Sequence, residues 1–152
     1  MRDELLIKQL WDMVRLISVN FETAYRPVVE IHGLTTLQCR ILLAVKEWEE
    51  TTVGNISKII DASSSNVSNM CKKLELEGFV NRIRSIEDER IVLVQLTDKG
   101  KEILLQIQSD LKNIYRPILK NLTEKEFETI ISGMKLINNL LEEFQEASKK
   151  VK

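Results

Sequence analysis

Between Ser63 and Gly78 the apolar residues Val67, Met70, Cys71 and Leu74 recur at i, i+3, i+4 and i+7, the spacing of one helix face. The serines ahead of them can cap exposed backbone N–H groups, and Gly78 suits the left-handed residue that closes a helix. At about 100° per residue, the opposite face carries Ser65, Asn69 and Lys72, flanked by Ser68, Asn66 and Lys73. That face holds no carboxylate. Short hydroxyl and amide side chains reach base edges in a DNA major groove, and lysines meet phosphates. Ser, Asn and Lys also make an ordinary solvated helix surface, so the flanking segments have to decide between the two.

Just upstream, Thr52 to Ile60 reads as a capped helix with Val53, Ile56, Ile59 and Ile60 turned inward, ending at Asp61-Ala62. Two short helices joined by about three residues form a helix-turn-helix. Downstream, Val80 to Ser85 and Ile91 to Leu96 are rich in β-branched and alternating residues, separated by Ile86-Glu87-Asp88-Glu89-Arg90. That pattern predicts a hairpin, a wing beside the helix pair.

The helix end Leu74-x-x-x-Gly78-Phe79-Val80-x-Arg82, followed by Asp88-x-Arg90 and, five residues on, Leu96-Thr97, resembles the MarR family of bacterial transcriptional regulators. The resemblance covers nearly the whole chain. It implies a mainly α fold with a small β-wing, a winged helix-turn-helix whose long N- and C-terminal helices build a homodimer. The expected organisation is one MarR-like domain over 1–152, with the DNA-binding lobe at 35–97 and dimerisation helices at 1–31 and 98–150. The implied function is DNA-binding transcriptional regulation on double-stranded DNA, as a repressor or an activator; with the helix face read above, the expected DNA-binding residues are Ser64, Ser65, Ser68, Asn69, Lys72, Lys73, Arg84 and Arg90. By the same resemblance, Asp88 orders the wing through an arginine partner and Arg90 lies near the DNA. The family often places a basic or small residue between that Asp and Arg, whereas this chain has Glu89 there and Glu87 just before. Carboxylates at the wing tip repel phosphates and can pair with Arg84 and Arg90.

The flanking segments fit this plan. From Glu4 to about Glu30, Leu6, Leu10, Met13, Val14, Ile17, Phe21 and Val28 keep helical spacing, with Pro27 expected to bend the helix or end it early. A helix of roughly 40 Å is too long to be covered by so small a domain and should pack on a partner subunit. After a break at His32-Gly33, Thr35 and Gln38 form a capping box for a second helix carrying Leu37, Ile41, Leu42, Val45 and Trp48, closed by Glu49-Glu50-Thr51. Thr97 caps a helix in which Ile103, Ile107, Leu111, Ile114, Ile118 and Leu122 keep helical spacing, and which Pro117 should bend or interrupt. Thr123 to Glu126 is another capping box, opening a final helix with Phe127, Ile130, Met134, Ile137, Leu140, Leu141 and Phe144. Lys149 to Lys152 reads as a frayed tail. The long apolar stripes make homodimerisation the economical way to bury them, and a twofold dimer predicts a palindromic site.

With 152 residues and 43% hydrophobic content, the chain suits one compact domain or subunit. No apolar run reaches the roughly 18 residues of a membrane span and no signal-peptide pattern opens the chain, so a cytoplasmic protein is expected. The net charge of −1 offers no global attraction for nucleic acid. Between residues 53 and 90, Lys58, Lys72, Lys73, Arg82, Arg84 and Arg90 are matched by Asp61, Glu75, Glu77, Glu87, Asp88 and Glu89, so any positive potential must come from arrangement. That balance keeps one alternative open, a winged helix serving as a protein-interaction module, against which the carboxylate-free helix face argues. No phosphate loop, metal cluster or nucleophile–base set is visible, so neither an enzyme, a cofactor nor a metal is expected. His32 reads as a loop or pocket-edge residue, and Cys39 and Cys71 as buried free thiols. The resemblance further implies a small-molecule ligand in the crevice between dimer helices and DNA-binding lobe. Trp11, His32 and Trp48 are conceivable walls for it, although core positions for both tryptophans are preferred. The peroxide-sensing branch of the family carries a reactive cysteine in its first helix. This chain has none there, and thiol sensing of that kind is not expected.

Overall fold

The computed structural model describes residues 2–48, 50–85, 88 and 90–150. Among them the chain runs α1 (Arg2–Glu30), α2 (Thr36–Trp48), β1 (Glu50–Thr52), α3 (Val53–Ile60), α4 (Ser64–Leu76), β2 (Val80–Arg84), β3 (Val92–Leu96), α5 (Asp98–Leu119) and α6 (Glu124–Lys149). This is the mainly α winged helix-turn-helix expected from the sequence. It divides into two compact units, Met1–Leu111 and Lys112–Lys152.

The first unit holds the core. Val29, Leu34, Cys39, Ile41, Leu42, Val45, Ile56, Val67, Cys71, Leu74, Val80 and Val94 are all fully buried, so α2, α3, α4 and the sheet close over the end of α1. At roughly 1.5–3 kcal/mol for each large aliphatic side chain, this cluster is what holds α3 and α4 in place. Both cysteines are buried and free, as expected. In the second unit, which takes in the end of α5, α6 contributes no buried residue. Phe127, Ile130, Met134, Leu136 and Leu140 stand exposed along it.

Local signals explain most boundaries. The Thr35 box forms: the Gln38 N–H donates to Thr35 Oγ1 at 3.2 Å, and Gln38 Oε1 accepts the Thr35 N–H at 2.8 Å. Its counterpart at Thr123 and Glu126 forms as well. Several expectations need correcting. Pro27 does not end α1, which continues to Glu30: the proline removes only its own N–H, and its carbonyl still accepts the Ile31 N–H at 3.3 Å. Pro117 likewise lies within α5, which ends two residues later. Glu50-Thr51 does not close α2 but begins β1, so the two-stranded wing is part of a three-stranded sheet ordered β1-β3-β2, with Thr51 opposite Val94. Ile59 is largely exposed rather than inward. The tryptophans are not core residues: Trp11 is 52% and Trp48 60% exposed. Lys149, expected in a frayed tail, is the last residue of α6, and Val151 and Lys152 lie outside the described residues.

Candidate nucleic-acid interface

The helix pair is built around an abrupt turn. Thr52 caps α3 by accepting the Asn55 N–H, and α3 ends at Asp61, whose left-handed backbone (φ 52°) redirects the chain. A β-carbon makes this conformation costly for most residues, and Asp is among the few that tolerate it. From α2, Arg40 donates to the Ile60 carbonyl oxygen at 2.8 Å, supplying a partner to a helix end that otherwise has unpaired acceptors. Ser63 then caps α4 by accepting the Asn66 N–H at 3.3 Å. Val67, Cys71 and Leu74 are fully buried beneath α4, and Met70 is half-buried. The face they leave outward carries Ser64, Ser65, Asn69, Lys72 and Lys73, all exposed, with Ser68 half-buried at its edge. No acidic side chain occurs on α4 before Glu75, in its last turn.

The end of α4 shows what the Gly78-Phe79 and Leu96-Thr97 pairs do. Gly78 adopts φ +78°, its N–H donates to the Glu75 carbonyl (2.9 Å), and the Phe79 N–H reaches back to that of Leu74 (2.8 Å). This is the glycine-closed helix end in which two orphan carbonyls are satisfied and the next apolar residue packs back on the helix. Thr97 fastens the far end of the hairpin to this point, its hydroxyl donating to the Gly78 carbonyl (2.7 Å) and its N–H to that of Phe79 (3.1 Å). The same hydroxyl oxygen accepts the Gly100 N–H (3.0 Å), so one threonine both anchors the wing and caps α5.

On the wing, β2 and β3 pair antiparallel with Arg82 opposite Val94 and Arg84 opposite Val92. Arg84 and Arg90 are exposed. The contact the structure gives Asp88 is with the main chain: its carboxylate accepts the Arg90 N–H at 2.9 Å, while its carbonyl accepts that of Ile91 at 2.9 Å. Asp side chains favour turns by this kind of local bond. Glu87 and Glu89, the anticipated acidic tip, lie outside the described residues.

Two further features of the first unit were not read from the sequence. His32, in the turn after α1, faces Asp110 on α5 at 2.8 Å, which makes it a loop residue with a structural partner. A cavity of about 480 Å³ is lined by Phe21, Tyr25, Cys39, Arg40, Leu43 and Leu104, among others, and not by Trp11, His32 or Trp48. Within it the Tyr25 hydroxyl and the Cys39 thiol lie 3.0 Å apart. Burial, reinforced by this contact, pushes the Tyr25 hydroxyl above its ordinary range, and burial likewise raises the Cys39 thiol. Among the described residues no cluster of His, Cys, Asp or Glu could hold a metal ion, and no helix is long and apolar enough to cross a membrane.

Comparison with known proteins agrees with the geometry. The family model described as "Transcriptional regulator SarA/Rot" matches residues 23–107, from the end of α1 into α5. The HTH-type transcriptional regulator SarZ of Staphylococcus saprophyticus is 28% identical over 145 residues, 95% of this chain and 97% of that protein. The crystal structure of the transcriptional regulator BldR from Sulfolobus solfataricus is 27% identical and superposes with a TM-score of 0.73 over 91% of this chain and 97% of BldR. A mutant MarR from E. coli complexed with operator DNA shares the fold at 22% identity, TM-score 0.73, over 86% and 94% of the two chains. These relatives decide against the interaction-module alternative. The chain belongs to the SarA/Rot family of transcriptional regulators, shares the MarR winged helix-turn-helix, and is a DNA-binding transcriptional regulator.

Proposed function

We propose that the protein acts as a homodimer on a palindromic operator, with α4 in the major groove and the wing along the adjacent minor groove or backbone. The observation that carries this reading is the outward face of α4, where Ser64, Ser65, Asn69, Lys72 and Lys73 are exposed over ten residues free of carboxylates. Ser65, Ser68 and Asn69 face base edges or nearby phosphates, Ser64 joins them at the helix N-terminus, and Lys72 and Lys73 neutralise phosphates. Arg84 and Arg90 extend the contact from the wing, whose turn Asp88 orders. Dimerisation is supported by the exposed apolar residues Leu5, Leu6, Leu16 and Ile17 on α1 and Phe127, Ile130, Met134 and Leu140 on α6. A twofold dimer of this kind places its recognition helices about one DNA turn, roughly 34 Å, apart.

Regulation by a small ligand is part of the same reading. The cavity against α2 supports it, because Arg40 both lines that cavity and holds the end of α3. A ligand that binds one arrangement of Arg40 better shifts the population between DNA-competent and released forms. Repression is the expected outcome at the operator.

Fluorescence anisotropy with duplex DNA from around the protein's own gene, against a scrambled duplex at two salt concentrations, tests the reading. Selective binding that weakens steeply with salt, sediments as a dimer on DNA and is lost in Asn69→Ala supports it. Equal binding to both duplexes at low salt overturns it.

A further inference from the structure

Glu75 stands where a carboxylate is out of place. It lies in the last turn of α4, where the negative end of the helix dipole disfavours an anion, and it is the first acid after the recognition face. It is not simply solvated. One carboxylate oxygen accepts the main-chain N–H of Arg82 at 3.1 Å, and the other faces the Arg82 guanidinium at 3.5 Å. Among the described residues β2 is an edge strand paired with β3, so this outward N–H finds no strand partner there, and Glu75 supplies the acceptor.

Arg82 is also unusual. Its side chain is only 17% exposed, its Nε is buried without a partner, and its charge is felt at Cys71 on the inner face of α4. A long cation tucked under a helix with a donor unsatisfied is a poor device for stability. It is a good one for direction. Between Leu76 and Val80 lie only Glu77, Gly78 and Phe79, and the bonds from Thr97 to the Gly78 and Phe79 carbonyls hold the hairpin at its root, leaving its tilt further along β2 to contacts such as that at Arg82. The Glu75–Arg82 contact spans that connection.

We propose that Glu75 and Arg82 form a clamp fixing the wing against the recognition helix, which makes Glu75 a positioning residue for operator selectivity. The proposal rests on the reading that helix and wing engage DNA together. Glu75 acts in two opposite ways. Its charge repels phosphates, so removing it strengthens binding to any duplex. Its oxygen holds β2, so losing that acceptor lets the wing swing and weakens binding where both elements must fit at once.

The test separates the two effects by substitution. A duplex selected by the full-length wild-type protein from a random-sequence pool and a scrambled duplex are titrated with wild type, Glu75→Ala, Glu75→Gln and the double variant Arg84→Ala/Arg90→Ala. Both Glu75 variants lose the charge, so both strengthen scrambled-duplex binding. Only Glu75→Ala loses the acceptor for the Arg82 N–H. Its selected-to-scrambled ratio falls about tenfold, the size of one base-pair discrimination, while Glu75→Gln keeps most of the ratio. Melting curves check that both variants, altered at an exposed position, remain folded. Equal ratios for Glu75→Ala and Glu75→Gln overturn the clamp and leave charge alone. If the double arginine variant binds the selected duplex as wild type does, the wing reading fails and the clamp fails with it. If the double variant loses binding while Glu75→Ala keeps its ratio, the clamp alone fails.

Discussion

Gly100→Ala sets two effects against each other, and the structure says which is larger. Gly100 lies in the first turn of α5, where alanine raises helix propensity by up to ~1 kcal/mol. A β-carbon there, however, would stand 2.1 Å from the Phe79 carbonyl oxygen, 3.1 Å from its carbon and 3.2 Å from Leu96 Cδ2. Carbon–oxygen contacts normally begin near ~3.3 Å, so the backbone must move by roughly 1 Å. Phe79 cannot retreat freely, because its ring is buried and its carbonyl accepts the Thr97 N–H. Overpacking of this kind costs ~1–3 kcal/mol, and the strained hydrogen bond adds ~1. The net expectation is a loss of about 1–3 kcal/mol, measured by urea unfolding followed by circular dichroism at fixed protein concentration. Gly54→Ala is the matched control, since its β-carbon meets nothing closer than Thr52 Oγ1 at 3.8 Å. It should change stability by no more than ~0.5 kcal/mol downward, or raise it. A Gly100→Ala protein as stable as wild type would refute the reasoning, because helix propensity would then outweigh the close approach of α5 to the seat of the wing.

Other consequences can be checked more briefly. Lys72→Ala and Lys73→Ala should each lower the slope of log affinity against log salt by about 1, on selected and scrambled DNA alike; an unchanged slope removes that lysine from the phosphate contacts. Burial pushes the Cys71 thiol up to about 11 and raises Cys39 as well, so the native protein should release little chromophore from a disulfide reagent at pH 8 and react at both thiols once denatured. Because the folded thiol titrates above the unfolded one, Cys71's contribution to stability is complete below the ordinary thiol range and disappears as pH rises towards about 11, so Cys71→Ala should reduce the alkaline loss in unfolding curves and leave the part due to Cys39. The Thr123 N–H and hydroxyl, donating to Glu126, hold its carboxyl below the usual carboxylate range. Helicity that depends on this box should be present above that range and fall as pH drops through the lowered value, and Glu126→Gln should flatten that part of the far-UV titration.

What the sequence disclosed follows the range of the forces involved. The boxes at Thr35 and Thr123, the cap at Thr97 and the glycine end at Gly78 are bonds between residues a few positions apart, and they form as their spacing indicates. The apolar stripe of α4 was legible for the same reason. Pairings across the fold were not, since nothing local marks Arg40 for the Ile60 carbonyl or His32 for Asp110. β1 was missed because three residues carry almost no periodicity, and it exists through its pairing with β3. Ile59 and the tryptophans were misplaced by treating hydrophobicity as evidence of burial within one chain, although apolar atoms form much of any folded surface. In a chain expected to dimerise, part of an apolar stripe belongs to the partner. One subunit's core therefore cannot be drawn from periodicity alone.

The balanced charge of the lobe, which counted against nucleic acid at the level of composition, looks different once positions are known. Asp61 occupies the left-handed turn, Glu75 is bonded to β2, and Asp88 is committed to the Arg90 backbone. Three of the acids that cancel the lobe's lysines and arginines on paper thus have local work in shaping the helix pair and the wing. The exposed cations Lys72, Lys73, Arg84 and Arg90 lie on the recognition helix and hairpin. At physiological salt a charge is screened beyond about 8 Å, so a phosphate responds to the side chains beside it far more than to a net total. A lobe without excess positive charge should hold random DNA weakly and gain affinity mainly where helix and wing both fit. For such a protein, selectivity depends on the angle between the two elements, and the residues that set that angle matter as much as those that touch the bases.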